Sequence, residues 1–168
     1  IYSVGEHGGI PHIAMELIDG PPLSELIRTQ GPLPADLARH IFDRVAAGLS
    51  AAHAHGLIHR DIKPSNILLE ARESTNRTGV TSRDTRRAGG PLQPWAAILG
   101  SNPRVKIVDF GLAHLHMATT HLTAGNKLLG TPEYMSPEQA GSQEIDARSD
   151  LFSLGVVLYE MLTGTTPF

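Results

Sequence analysis

The sequence predicts an α+β fold in which a short strand hairpin leads into a larger, mostly helical body. Three observations carry this reading. Residues 1–18 alternate short β-favouring runs with a Gly-containing turn. Between residues 34 and 55, Leu37, Ile41, Val45, Leu49 and Ala52 recur at three- to four-residue intervals, which describes one face of an amphipathic helix. Residues 150–162 are apolar nearly all round, which suits a helix buried at the centre of a domain.

The elements follow in order. Residues 1–4 and 12–18 read as two strands joined by the turn at 5–9, with the second strand running on into a connecting segment. That turn lacks the glycine spacing of a phosphate cradle and is read as a plain hairpin turn. Asp19-Gly20-Pro21-Pro22 breaks the strand, and residues 23–29 make a short helix stopped by Gly31-Pro32. After the long helix come two apolar runs, 67–69 and 105–108, each the length of a buried strand. Between them, residues 70–104 carry six Arg against Glu70, Glu73 and Asp84, are rich in Thr, Ser, Gly and Pro, and show no period. This stretch is read as a flexible, solvated insertion. Asn76-Arg77-Thr78 fits a glycosylation pattern, which carries nothing without a secretory context.

Composition narrows the class of function. The chain has 168 residues, the size of one domain, with 14 Lys and Arg against 17 Asp and Glu. A net charge of −3 gives no basic field, so nucleic acid is not an expected partner. Cysteine is absent, which removes thiolate metal sites and fits a reducing, cytoplasmic compartment. No run approaches the roughly 18 apolar residues of a membrane span, although an anchor elsewhere in a longer parent stays open. The nine His show no carboxylate-supported zinc spacing and are read as helix-end and loop hydrogen-bonders. The sequence begins at Ile1 rather than Met and stops at Phe168 directly after a Pro, so it reads as excised at both ends.

The densest polar cluster is His59-Arg60-Asp61-Ile62-Lys63-Pro64-Ser65-Asn66, between the long helix and an apolar strand. One carboxylate, a Lys two residues on and an Asn five residues on supply an acceptor for a hydroxyl proton, a cation for phosphate oxygens and a neutral oxygen ligand for magnesium. Those are the parts phosphoryl transfer requires, because its catalysis is mostly positioning and charge neutralisation. Asp109-Phe110-Gly111 follows the second apolar strand, where its carboxylate could ligate the same hard cation.

Together these motifs resemble the eukaryotic-like (Hanks-type) serine/threonine protein kinases, over nearly the whole chain. The resemblance implies a protein-kinase-like fold truncated at both ends. Residues 1–18 would be a remnant of the N-lobe sheet and the hinge, and 19–168 a mostly helical C-lobe carrying the insertion at 70–104. It also implies ATP and Mg²⁺ as cofactors, with Ser/Thr-containing proteins as substrates. Asp61 would be the catalytic base, Lys63 would contact the transferred phosphate, and Asn66 and Asp109 would hold magnesium. Met15 would be the gatekeeper, the backbone of Glu16 and Ile18 would meet adenine, and Leu68 would pack beneath the ring. His59 and Phe110 would pack internally, with Asp150 as the partner of His59. Residues 130–138 resemble the end of an activation segment, with Ser136 where Ala is commoner. Lys63 and Thr131 match the Ser/Thr rather than the tyrosine pattern. Arg60 resembles the kinases switched on by phosphorylation in that segment, with Thr123 the candidate site and Thr119 and Thr120 lesser ones. His114 departs from the Arg or Lys that relatives often place there.

The Gly-rich loop, the ATP-pairing Lys and the regulatory-helix Glu of the family would precede Ile1, and the Arg that usually partners Glu138 would follow Phe168. Two classes of function therefore stand side by side. One is an ATP-dependent protein Ser/Thr kinase in the intact parent, with this stretch inactive alone. The other is a non-catalytic, kinase-like scaffold or binding module, against which the oxygen donors Asp61, Asn66 and Asp109 argue.

Overall fold

The structure, a computed structural model, describes residues 2–71, 102–110 and 132–168. Strands β1 (Ser3–His7) and β2 (Ile10–Ala14) form an antiparallel hairpin with Ser3 opposite Ala14 and His7 opposite Ile10. The turn between them is narrower than the sequence suggested. Only Gly8 and Gly9 lie outside the strands, with φ of 58° and 80°, as a two-residue turn of the right hand for a hairpin demands. Gly5 is a strand residue opposite His12. The second strand also ends at Ala14 instead of running to Ile18; its last pairing there is the Tyr2 N–H donating to the Ala14 carbonyl at 2.8 Å.

Helix α1 (Leu23–Gln30) buries Leu23, Leu26 and Ile27 and stops at Gly31, whose φ of 73° few other residues adopt at low cost. Helix α2 (Ala35–His53) realises the predicted periodic face through Ile41, Val45 and Leu49, with Ala38 joining them. Strands β3 (Ile67–Glu70) and β4 (Arg104–Ile107) pair antiparallel, with Ile67 opposite Ile107 and Glu70 opposite Arg104. The two ends of the long connection thus meet at one point, where Arg104 Nη1 lies 3.6 Å from Glu70 Oε2. The flexible insertion read over 70–104 is corrected at its ends, where Glu70 and Arg104 are paired strand residues; its remainder, 72–101, lies outside the described residues.

Two short elements precede the last helix: a 3-10 turn at Pro132–Tyr134 and helix α3 (Pro137–Ala140). Helix α4 (Ala147–Thr163) packs on α2 and ends at Gly164, in the left-handed conformation with φ 81°. The core joins Leu23, Leu26, Ile41, Val45 and Leu49 to Ile62, Ile67 and Leu69 and to Leu154, Val157 and Met161 of α4. Each such side chain withdrawn from water contributes about 1.5–3 kcal/mol. The expectation that α4 is buried all round is corrected. Its inward face is buried, but Leu151, Tyr159 and Leu162 stand about half exposed. Apolar composition reports that a face avoids water, not which partner covers it.

One close approach fixes the entry to this body. Pro21 accepts a hydrogen bond from the Leu69 N–H at 2.9 Å, and the chain before it passes so near β3 that a Cβ on Gly20 would stand 1.8 Å from the Leu69 carbonyl oxygen. Only Gly fits there.

Candidate active site

The segment following α2 is drawn into the core by Ile62, then closes in a 3-10 turn, Pro64–Asn66, at the head of β3. Asp61, Lys63 and Asn66 converge there. Lys63 Nζ lies 2.8 Å from Asp61 Oδ2, and the Asn66 amide Nδ2 donates to that same oxygen at 3.0 Å and to the Asp61 carbonyl at 2.8 Å. Fixing the amide nitrogen on Asp61 leaves Asn66 Oδ1, among the described residues, with only a weak 3.5 Å contact from the Ser65 hydroxyl. A buried, oriented amide oxygen of this kind suits a hard cation such as Mg²⁺.

Asp109 is the second candidate ligand. The Val108 N–H donates to the Asn66 carbonyl at 2.9 Å, which places the residue before Asp109 beside the turn that carries Asn66. Asp109 is exposed and sits at φ 65°, a left-handed conformation that Asp tolerates better than most residues. Among the described residues no three His, Asp or Glu cluster to hold a metal. Magnesium commonly takes several of its oxygens from phosphate and water, so two protein donors such as Asn66 and Asp109 suit it.

His59, fully buried, links the two halves of the site. Its Nδ1 accepts the Asp61 N–H at 3.2 Å and its Nε2 donates to the Val108 carbonyl at 2.9 Å, so the ring carries its hydrogen on Nε2. Phe110 packs against it with ring centroids 4.5 Å apart. The expected pairing of His59 with Asp150 exists, but through the backbone. Asp150 Oδ2 accepts the His59 N–H at 2.9 Å, Oδ1 accepts the Arg60 N–H at 2.8 Å, and His53 Nε2 donates to Oδ2 at 2.7 Å. The ring cannot serve Asp150 because Val108 and Asp61 already occupy both of its nitrogens. The sequence marks His53 only as a helix-end hydrogen-bonder and gives no sign of its partner, 97 positions away.

Around α3, Ser149 donates to the carboxylate of Glu138, and this, ahead of backbone contacts, holds Glu138 below the usual carboxylate range. Glu138 thus has a partner within this chain. Ser153 donates to the Tyr134 carbonyl at 2.7 Å, and the Tyr134 hydroxyl donates to Glu160 Oε2 at 2.6 Å. Burial first, and then that carboxylate, push the Tyr134 phenol far above its ordinary value.

The remaining expected site residues fall in three groups. Glu16 reaches the strand pair that bears Leu68, since Lys106, opposite Leu68, lies 3.2 Å from the Glu16 carboxylate. Met15 is exposed at the end of β2, and Ile18 is half-buried beyond it. Thr123, Thr131, His114 and Gly111 lie outside the described residues.

A family model for the protein kinase domain matches residues 1–168. The chain belongs to the protein kinase family. It is 36% identical over 172 residues to serine/threonine-protein kinase PknB of Mycobacterium leprae, covering all of this chain and 23% of that protein. It is 37% identical over 168 residues to PknL of Mycobacterium tuberculosis, covering all of this chain and 34% of that one. To Pkn1 of Myxococcus xanthus it is 39% identical over 161 residues, covering 94% of this chain and 19% of the relative. The chain therefore spans about a fifth to a third of the length of the curated relatives it matches.

Proposed function

We propose that this chain is the catalytic-loop portion of an ATP-dependent protein serine/threonine kinase, working in the cytoplasm. The observation that carries the proposal is the carboxylate of Asp61, held between the Lys63 ammonium at 2.8 Å and the Asn66 amide at 3.0 Å. In that role Asp61 accepts the proton of a substrate Ser or Thr hydroxyl as its oxygen bonds to the γ-phosphorus and the bond to the ADP oxygen breaks. Lys63, one hydrogen-bond length from the base, meets the oxygens of the phosphoryl group in transit. Asn66 Oδ1 and Asp109 would hold magnesium, which would supply neutralisation of phosphate charge. Met15, the backbone of Glu16 and Ile18, and Leu68 frame the adenine. Thr131 and Lys63 set the preference for aliphatic hydroxyls.

The test is a radiolabelled-ATP assay of the full-length protein on a generic basic protein substrate. Label should appear on Ser and Thr with Mg²⁺, fall to background with EDTA, and return when Mg²⁺ is restored. Nucleotide-independent partner binding with no transfer would overturn the enzyme reading in favour of a scaffold. Activation is proposed to run through Thr123, whose phosphate would pair with Arg60. Mass spectrometry of the same reaction should find phosphate at Thr123, and Thr123→Ala with unchanged activity would refute that role.

A further inference from the structure

Gln139 joins two segments that this chemistry needs in fixed relation. At the start of α3 its Oε1 accepts the Ser136 N–H at 3.0 Å while its own N–H donates to the Ser136 hydroxyl at 3.3 Å, a reciprocal capping box. The other end of the same amide, Nε2, donates to the carbonyl of Arg60 at 2.8 Å. That carbonyl belongs to the peptide plane leading into Asp61, and the N–H of that plane donates to His59 Nδ1 at 3.2 Å. Both polar groups of one rigid plane are thus held, one by Gln139 and one by His59. The hold matters because Arg60 sits at φ 69°, and a non-Gly residue in that region carries about 1–3 kcal/mol of strain that its surroundings must offset.

The choice of residue is informative. A capping box takes Glu or Gln equally at this position, and Glu would also suit the positive end of a helix. Only Gln can cap and donate to Arg60 at once. Building on the proposed phosphotransfer, we infer that Gln139 is a positioning residue whose amide nitrogen ties the segment at Ser136 to the peptide plane carrying the base, so that turnover depends on that nitrogen and not on the cap.

The test compares Gln139→Glu with Gln139→Ala in the full-length protein, reading kcat, the KM for ATP and thermal midpoint. Gln139→Glu keeps the cap acceptor and removes the donor. It should lose about 10-fold in kcat, the worth of one such hydrogen bond at the reacting geometry, with KM for ATP and midpoint near wild type. Gln139→Ala should lose kcat similarly and lower the midpoint as well. A Gln139→Glu enzyme within twofold of wild-type kcat would show that the residue only caps, and would overturn the inference. So would a fall in kcat matched by an equal loss of folded, nucleotide-binding protein. An inactive wild type, by contrast, would count against the kinase reading itself.

Discussion

Asp61→Asn in the full-length protein should lower kcat by about 100-fold or more, because it removes the proton acceptor while keeping the size of the side chain. The geometry makes the loss sharper than isosterism suggests. Asp61 Oδ2 serves both Lys63 Nζ at 2.8 Å and Asn66 Nδ2 at 3.0 Å, and an amide can offer one oxygen to those two donors but must turn its NH₂ away from both. Asn66 would keep its 2.8 Å bond to the Asp61 carbonyl, so its Oδ1 should stay oriented toward the cation. The KM for ATP should accordingly move little while kcat collapses, which is the signature of an interaction made in the transition state. Steady-state kinetics at saturating Mg²⁺-ATP decide the matter. Turnover within tenfold of wild type would remove Asp61 from the role of base.

How much of this was legible beforehand depends on how local each signal is. The α2 face could be read because Ile41, Val45 and Leu49 repeat with the helical period, and the loop from His59 to Asn66 because its residues act on one another across two to five positions. The Ser-x-x-Gln pattern at Ser136 is a cap signature, but it does not disclose the second role of Gln139. A four-residue helix has no period to detect, and the second partner, Arg60, stands 79 positions away. The strand beyond Ala14 was overextended because β-propensity cannot show where a pairing partner ends. For Asp150 the partner was foreseen, but not the atoms: a residue name does not say whether the backbone or the ring will donate.

Those atoms lead to the second large expected effect. Asp150 is 1% exposed and its carboxylate takes hydrogen bonds from His53, from the His59 N–H and from the Arg60 N–H. Asp150→Leu fills similar space but strands the buried His59 N–H, the half-buried Arg60 N–H and one imidazole. Breaking a buried network of this kind costs about 3–5 kcal/mol, so the denaturant midpoint should fall steeply. Asp150→Asn retains one acceptor oxygen and must present its NH₂ to one side, which should cost a smaller amount, about 1–3 kcal/mol. The consequence for turnover differs from that for stability. Arg60 sits at φ 69°, and release of its N–H allows the peptide before Asp61 to relax out of that conformation, moving the base relative to the hydroxyl it must meet. A misplacement of about 1 Å at such a site can cost on the order of 100-fold in rate. Asp150→Asn should therefore be well folded at 25 °C yet deeply impaired in kcat, whereas Asp150→Leu should lose both. Chemical denaturation and steady-state kinetics on the two variants separate these claims. An Asp150→Asn enzyme with wild-type kcat would show that the clamp serves the fold alone, and an unchanged midpoint in Asp150→Leu would show that the three donors find other acceptors.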